Sequence, residues 1–448
     1  MPATDPARLH ETAPRYTSYP TAPHFHAGIG EAEVGRWMDA IPERDALSLY
    51  LHIPYCDRLC WFCACHTKQT RRYEPVTRYL QALHAEIATV GRRIGQRGQV
   101  RSIHFGGGSP TMLEPADFRE LVAQLRASFD GAGTADLSVE VDPNDMTEEK
   151  LETLAACGLT RASLGVQDFD EKVQRAINRE QSFDLTRSVV EGLRVRGVRS
   201  LNLDLLYGLP HQTVESVEAT VAQALTLRPD RIALFGYAHV PWFKKHQTMI
   251  DEAWLPDGAG RLEQSQAAAR LIAEAGYAAI GIDHFALPGD SLTAALRKGR
   301  LRRNFQGYTD DPCETLVGLG PSSISRYRQG HAQNVPATGE YQRLVETGRL
   351  AIARGIEFGT DDLARGWLIE RLMCDFGFAP AEGQALHGRA FAPLLAEAAL
   401  LAQAEPAMLC ARGDRYEVPE GARPYVRTVA ARFDAYLARG TARHSLAV

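Results

Sequence analysis

Cysteines crowd into one short segment of the chain, directly after an apolar run. Residues 56–66 read Cys-Asp-Arg-Leu-Cys-Trp-Phe-Cys-Ala-Cys-His, so four of the eight cysteines fall within ten residues. The preceding run, residues 47–53, has the pattern of a buried strand. Disulfides do not suit so tight a loop, because neighbouring cysteines cannot easily reach the bridging geometry and the sequence has no secretory context. Metal binding by thiolates is the better interpretation.

The spacing of these cysteines favours an iron–sulfur cluster over zinc. Zinc sites usually combine two close pairs of ligands, and no matching Cys/His pair follows at zinc-finger spacing. Cys56, Cys60 and Cys63 are spaced C-x3-C-x2-C and suit three corners of one compact cluster. The fourth iron would then lack a cysteine and could bind a substrate, as an open metal position does in other catalytic sites. Two alternatives remain. One is a zinc site, and the other is a closed cluster in which Cys65 is a strained fourth ligand.

A repeated alternation of strands and helices, starting near residue 46, must position this loop. Between the strands lie helical patterns such as Phe118, Leu121, Val122 and Leu125, whose spacing puts the apolar residues on one face. Such alternation requires a parallel sheet with crossover helices. The strand-like runs are residues 47–53, 100–105, 137–141, 161–166, 200–206 and 232–237. The prediction is an α/β fold with a partial (β/α)6 barrel, and a doubly wound sheet is the alternative.

Polar and glycine residues follow these strands where each one ends. Ligands gather at the carboxyl ends of parallel strands. Glycines there let the backbone approach a ligand closely, although a plain tight turn would need them too. A carboxylate inside a strand needs a partner, which is either a ligand or an internal ion pair. Beyond the cysteine loop, the strand ends carry Gly106-Gly107-Gly108, Glu140 with Asp142, Gln167 with Asp168, Asp204, and Ala238 with His239.

The motif C-x3-C-x2-C after a first strand resembles the signature of radical S-adenosylmethionine (SAM) enzymes. The flanking segment Tyr50-x-His52-Ile-Pro-Tyr-Cys56 and the extra Cys65 are similar to those of the oxygen-independent coproporphyrinogen III oxidases. In that family a reduced cluster cleaves SAM to a 5′-deoxyadenosyl radical, which takes a hydrogen from a propionate β-carbon. Loss of CO2 and one electron then leaves a vinyl group. The resemblance therefore implies conversion of coproporphyrinogen III to protoporphyrinogen IX in anaerobic haem biosynthesis.

The resemblance also implies cofactors and site residues. It implies a [4Fe-4S] cluster on Cys56, Cys60 and Cys63, two SAM molecules, and an electron donor and an acceptor that the sequence does not identify. The residues implied at the cofactors are Tyr50, Phe62, Gly106, Gly107, Gly108, Glu140, Gln167, Arg179, Asp204, Ala238 and Ile324. Glu140, Phe305 and Gln306 are the catalytic candidates. Arg15, Tyr16 and Tyr19, on a Pro- and Tyr-rich stretch, are the substrate-side candidates, and residues 296–303 form a basic run that either is solvated or faces the substrate carboxylates.

Length and composition limit the remaining possibilities. The 448 residues carry a formal net charge of −5, with 45% hydrophobic residues. This composition indicates a globular chain and argues against nucleic-acid binding. The absence of a long apolar run and of an apolar signal core predicts a cytoplasmic protein without a membrane anchor.

The predicted domains are an N-terminal arm (1–35), a radical SAM catalytic domain (36–350) and a smaller, mainly helical C-terminal domain (351–448). Nothing in the sequence requires more than a monomer. Three other functions remain open: a haem-binding chaperone on the same radical SAM core, an enzyme acting on another tetrapyrrole, and an electron-transfer protein.

Overall fold

The computed structural model describes residues 11–437. Residues 1–10 of the predicted arm and 438–448 of the predicted helical domain lie outside the described residues. The described strands are β1 (Ala46–Ile53), β2 (Tyr55–Cys56), β3 (Lys68–Gln69), β4 (Gln99–Gly107), β5 (Asp136–Val141), β6 (Leu159–Gln167), β7 (Ser200–Tyr207), β8 (Arg231–Gly236), β9 (Ala278–Ile280), β10 (His284–Ala286), β11 (Arg302–Asn304), β12 (Gly307–Thr309), β13 (Thr315–Leu319), β14 (Ile324–Tyr327), β15 (Gly330–Asn334), β16 (Ile352–Glu357), β17 (Gly377–Phe378), β18 (Cys410–Arg412) and β19 (Arg415–Glu417).

Helices occur between the strands and again after the sheet. They are α1 (Glu31–Asp39), α2 (Glu74–Ile94), α3 (Pro115–Ser128), α4 (Glu148–Ala156), α5 (Glu171–Ala176), α6 (Phe183–Val195), α7 (Val214–Thr226), α8 (Gly258–Glu274), α9 (Ser291–Arg297), α10 (Thr338–Glu346), α11 (Thr360–Asp375), α12 (Pro380–His387), α13 (Ala392–Ala404) and α14 (Val426–Ala431). Within residues 11–437, no helix is both long and apolar enough to cross a lipid bilayer.

One sheet of twelve strands organises the fold. Its order is β16-β15-β14-β13-β1-β4-β5-β6-β7-β8-β10-β9. The six predicted strands, β1 and β4 to β8, are parallel neighbours in chain order. A doubly wound sheet would reverse its strand order, whereas a barrel sheet does not. The prediction of a partial barrel is therefore confirmed. The sequence did not reveal that β13 adds a further parallel strand on the other side of β1.

The two faces of the sheet differ in polarity, and this difference creates the site. In β1, Leu47, Leu49 and Leu51 are at most 1% exposed and belong to the apolar core that the helices share. Because side chains alternate along a strand, the residues between them face the opposite, concave side. We call the space on that side the lumen. It is lined by Tyr50, His104, Glu140, Ser163 and Asp204, which contact one another across the strands.

The arm and the helical domain pack together. Tyr16 and Tyr19 of the arm lie in an apolar core formed mainly by α11, α13 and α14. The Tyr16 hydroxyl donates a hydrogen bond to Asp434 Oδ2 at 3.1 Å, and the Tyr19 hydroxyl accepts one from the backbone N–H of Ala435 at 3.1 Å. The sheet continues past the predicted domain boundary at residue 350, since β16 still pairs with β15.

Candidate active site

The cysteine loop follows β1 and is held from one side by the segment between α5 and α6. Its backbone carbonyls accept most of the hydrogen bonds that fix it. The amide of Asn178 donates to the carbonyl of Leu59 at 2.9 Å. The backbone N–H of Trp61 donates to the carbonyl of Ile177, also at 2.9 Å. The loop has almost no regular structure of its own, so these distant groups set its shape.

The segment after β8 holds the loop from the other side. Lys244 Nζ donates to the carbonyl of Cys65 at 2.8 Å, and His246 Nε2 to that of Cys63 at 2.6 Å. The amide of Gln247 donates to the carbonyls of Phe62 at 2.9 Å and Ala238 at 3.2 Å. We call Lys244, His246 and Gln247 the clamps of the cysteine loop. The sequence did not predict them. The signal that could have found them is a polar run, Lys-Lys-His-Gln, shortly after the sixth predicted strand.

The thiols of the loop fit the implied cluster. All cysteines in residues 11–437 are free. Burial raises the pKa of the Cys56 thiol to about 12, so its thiolate form needs a nearby positive charge, which bound metal supplies. No three Cys, His, Asp or Glu side chains of the described residues converge as ligands of one metal ion do. Three thiols on separate positions of one loop suit a multi-iron cluster better than a single zinc ion.

Cys65 lies beside Cys63 and is exposed. Its backbone N–H approaches Cys63 Sγ at 3.3 Å. A hydrogen bond from the Cys65 side chain, opposed by burial, lowers the pKa of the Cys63 thiol to about 7. The structure therefore makes Cys65 a hydrogen-bonding neighbour of a predicted cluster ligand.

The glycines after β4 are required by the protein itself. A Cβ on Gly106 would lie 2.8 Å from Glu140 Oε1, and one on Gly108 would lie 2.5 Å from the carbonyl of Tyr55. Gly107 has a φ of +111°, and its Cβ would lie 2.6 Å from the His52 ring. These contacts give the glycines a structural role apart from any ligand, and their contact with SAM stays a prediction.

A chain of aromatic and polar side chains supports Glu140 beneath this glycine segment. Glu140 Oε2 accepts a hydrogen bond from the N–H of Gly107 at 3.0 Å, and its Oε1 lies 3.3 Å from His104 Nε2. Tyr50 stacks on His104 with the ring centroids 5.8 Å apart. Although burial favours the neutral acid, the hydrogen bond from His104 and the one from Gly107 hold the pKa of Glu140 below its usual value. Glu140 is therefore ionised in the lumen.

His52, the second-last residue of β1, is a structural residue. It is 6% exposed, and burial lowers its pKa to about 4, so the ring is neutral. Its Nδ1 lies 3.1 Å from the Tyr50 hydroxyl and its Nε2 2.7 Å from the carbonyl of His66. In the neutral ring, Nδ1 accepts from Tyr50 and Nε2–H donates to His66.

Asp204 is the second carboxylate of the lumen. It accepts hydrogen bonds from Ser163 Oγ at 2.9 Å and from the Asn202 amide at 2.7 Å. Burial, partly offset by Ser163, raises its pKa to about 6. Among the described residues, neither Glu140 nor Asp204 forms a salt bridge with lysine or arginine. The internal ion pair considered for Glu140 is thus limited to its contact with His104.

Gln167 ends β6, and Arg179 lies between α5 and α6 and contacts the cysteine loop. Arg179 donates to Asp142 Oδ2 at 2.9 Å, to the carbonyl of Gly165 at 2.7 Å and to Cys60 Sγ at 3.6 Å. Its Nε is buried without a partner among the described residues. Gln167 has a φ of +68°, and its amide nitrogen lies 2.9 Å from where a Cβ on Gly165 would be. Arg179 thus contacts Cys60, a predicted cluster ligand. The sequence analysis predicted a role for Arg179 at SAM but not this contact.

The remaining candidates lie farther along the sheet or outside the lumen. Asp168 is 1% exposed and bonded to Gln212 and Thr220, so it is structural. Phe305 and Gln306 form the two-residue turn between β11 and β12. Phe305, with Tyr16 and Tyr19, lines a cavity of about 850 Å³ beside the barrel. That cavity includes neither the cysteine loop nor Glu140 and Asp204, so the structure does not bring these candidates together with the lumen carboxylates.

Ile324 lies on β14, and the basic run extends from the end of α9 into β11. Ile324 begins β14, two residues before Arg326, which is paired with Leu316 of β13. Within the basic run, Arg302 pairs with Glu370 of α11, and Arg303 with Asp283 at 3.5 Å. The alternative of a simply solvated helix end therefore does not hold for these two arginines.

The comparisons with known proteins agree with this geometry. Residues 50–224 match the model of the radical SAM superfamily. A coproporphyrinogen III oxidase (HemN) from Escherichia coli, itself a radical SAM enzyme, has a solved structure that superposes with a TM-score of 0.90. It is 38% identical, over 94% of this chain and 98% of that one. The fold and the cysteine loop thus define a radical SAM protein.

Sequence relatives define the family more narrowly. An oxygen-independent coproporphyrinogen III oxidase from Bradyrhizobium diazoefficiens is 47% identical over 98% of both chains. One from Paracoccus denitrificans is 48% identical over 94% of both. The chain belongs to the family of oxygen-independent coproporphyrinogen III oxidases.

Proposed function

We propose that this chain converts coproporphyrinogen III to protoporphyrinogen IX by oxidative decarboxylation of two propionate side chains to vinyl groups, without O2. The observation that carries the proposal is the cysteine loop. It lies at the same end of the sheet as two carboxylates, Glu140 and Asp204, that pair with no lysine or arginine within residues 11–437. SAM carries positive charge on its sulfonium and ammonium groups, so Glu140 and Asp204 are suited to receive it. The choice of coproporphyrinogen III as the substrate rests on the relatives, because their names specify it.

Each part of the site has a proposed task. Cys56, Cys60 and Cys63 hold a [4Fe-4S] cluster, and Arg179 supplies positive charge beside Cys60. Cluster and SAM together supply the abstraction of a hydrogen atom from a propionate β-carbon. Glu140 and Asp204 orient the SAM cations, while Tyr50 and His104 fix Glu140. The cysteine loop and the sheet shield the reacting carbon from water. Binding of a second SAM molecule is part of the proposal, with Gln167, Asp204 and Arg179 as its contacts.

The cellular setting is also a proposal. We infer a cytoplasmic enzyme that acts in haem biosynthesis and needs a low-potential electron donor for its cluster and an acceptor for the electron released from the substrate. A monomer meets the requirements of the site, because its elements come from one chain.

An anaerobic assay tests the function. Protein reconstituted with iron and sulfide receives dithionite, SAM and coproporphyrinogen III, and 5′-deoxyadenosine, CO2 and protoporphyrinogen IX are measured. We expect two CO2 for each protoporphyrinogen IX. Tight haem binding without decarboxylation would instead support the haem-binding chaperone. Turnover only when a different tetrapyrrole replaces coproporphyrinogen III would support an enzyme acting on that tetrapyrrole.

A further inference from the structure

Large hydrophobic side chains are exposed beside the cysteine loop. Within residues 11–437, eight such side chains are exposed, and four of them lie in the short segment 242–254 after β8. This segment contains the clamps that hold the loop from one side. The four side chains and their exposed fractions are Trp242 (54%), Phe243 (72%), Met249 (58%) and Trp254 (56%). Single exposed hydrophobic residues are ordinary, whereas several close together usually mark a binding surface.

The same region is positively charged. Residues 58–73 and 240–250 contain six lysines and arginines and no aspartate or glutamate, although the whole chain has a net charge of −5. The six are Arg58, Lys68, Arg71, Arg72, Lys244 and Lys245. Within the described part of the chain, Arg58 and Lys244 donate to backbone carbonyls, the other four side chains are exposed, and none of the six forms a salt bridge. These charges are therefore available to an acidic partner.

Hydrogen bonds fix these charges at both ends of the cysteine loop. The backbone N–H of Thr70 donates to the carbonyl of Cys56 at 2.9 Å, so residues 68–72 lie against the start of the loop. Lys244 binds at its far end, through the carbonyl of Cys65 at 2.8 Å. The Lys244 ammonium also lies over the ring of its neighbour in segment 242–254, 5.2 Å from the centroid. The cations and the exposed aromatic residues thus flank the part of the chain that carries the predicted cluster ligands.

We propose that the exposed residues of 58–73 and 242–254, which we call the docking surface, bind an acidic one-electron carrier protein that reduces the cluster. The inference rests on the proposed function, which requires a low-potential electron donor. One electron passes from the reduced carrier to the cluster, so the carrier is oxidised by one electron, and no bond forms or breaks. Complexes of electron carriers are small, and opposite charges guide their formation. An exposed aromatic patch beside unpaired cations suits such a partner.

Anaerobic stopped-flow kinetics with an acidic flavodoxin test the inference. Fully reduced flavodoxin is mixed with the cluster-loaded chain, and its oxidation to the semiquinone is followed by absorbance. We expect the double variant R71E/K245E to lower the second-order rate constant at least about tenfold at low salt, because reversed charges repel the carrier. F243S should lower it at least about threefold through lost apolar contact. Added salt should slow the wild type but have little effect on the double variant.

R389E and L400S are the matched controls, because Arg389 and Leu400 are exposed residues of the helical domain. Both should react with flavodoxin as the wild type does. Isothermal titration with oxidised flavodoxin measures docking apart from electron transfer, and the Kd should rise in R71E/K245E and F243S alone. With dithionite as the donor, all variants should make protoporphyrinogen IX at the wild-type rate. Iron content and circular dichroism establish that each variant is folded and loaded.

The outcomes separate this inference from the proposed function. If the wild type makes no protoporphyrinogen IX with dithionite, the function itself is wrong, and reduction of the cluster by flavodoxin still tests the docking surface. If the wild type is active, but flavodoxin neither binds nor reduces it, or reacts equally with R71E/K245E, F243S and the controls, only the docking surface is wrong. A raised KM for coproporphyrinogen III with dithionite would assign this surface to the substrate. A changed oligomeric state would assign it to a second copy of the chain, and either result overturns the inference.

Discussion

Two carboxylates of the lumen have different chemical surroundings. Glu140 receives hydrogen bonds from Gly107 and faces His104, which favour its ionised form. Within the described part of the chain, Asp204 accepts hydrogen bonds from two neutral groups, Ser163 and Asn202, and burial raises its pKa to about 6. Groups whose surroundings separate their pKa values usually have separate roles. Near neutral pH, Glu140 is a fixed negative charge and Asp204 is a charge that acid removes.

The first prediction follows from Asp204. Because its pKa is raised, the carboxylate is present above about pH 6 and is lost as the pH falls below it. SAM affinity of the cluster-loaded wild type should therefore weaken as the pH falls through this range. D204N should bind SAM weakly and without this pH dependence, as measured by equilibrium dialysis. D184N, at an exposed position of α6, is the control. A slope retained in D204N would contradict the assignment.

The second prediction concerns the cysteine ligands. C56S, C60S and C63S should lose most of the cluster iron after anaerobic reconstitution. C65S should keep it, because Cys65 is expected to serve as a hydrogen-bonding neighbour of Cys63 rather than as a ligand. Iron and sulfide analysis of the four variants shows which of the cysteines are cluster ligands. Equal loss in all four would mean a closed, four-cysteine cluster.

Among the elements, the cysteine loop depends on parts of the chain far away in sequence. Asn178 lies 119 residues from the carbonyl that it binds, and Gln247 lies 185 residues from Phe62. The strand–helix alternation predicted all six central strands, since their periodicity is local. It could not predict the clamps or the parallel pairing of β13, because neither leaves a periodic pattern.

Loss of one clamp provides the third prediction. Gln247 is fully buried, donates to Phe62 and Ala238, and accepts from the N–H of Val240 at 2.6 Å. Q247A should leave these groups unpaired at a cost of about 1–3 kcal/mol for each buried group. We expect lower iron content after reconstitution and faster amide exchange in the cysteine loop. Q223A, on the exposed face of α7, should match the wild type, and unchanged iron in Q247A would contradict a clamping role.

At the scale of the whole molecule, the arm joins the barrel to the helical domain. The sequence predicted an N-terminal arm over residues 1–35, and its described part, residues 11–35, continues into α1 at Glu31. Its actual partners, Asp434 and Ala435, are more than 400 residues away, so no local pattern could identify them. The substrate-side role of Tyr16 and Tyr19 stays a prediction, because the contacts of both hydroxyls are within the protein.

The fourth prediction separates a structural role of Tyr16 from a role in binding the substrate. If Tyr16 acts only through Asp434, Y16F should cost about 1 kcal/mol and lower Tm by a few degrees, with an unchanged KM for coproporphyrinogen III. Y277F removes a comparable buried hydrogen bond, to the carbonyl of Pro229, and is the control. A raised KM in Y16F, with Tm no lower than in the control, would instead indicate contact with the substrate.

The contact between Tyr16 and Asp434 also bears on how the protein is made. A ribosome releases the arm first and residues 434–435 last among these segments. During synthesis the arm therefore cannot contact Asp434 and Ala435 until almost the entire chain has emerged. The barrel strands and the cysteine loop can thus form before the arm packs against the helical domain.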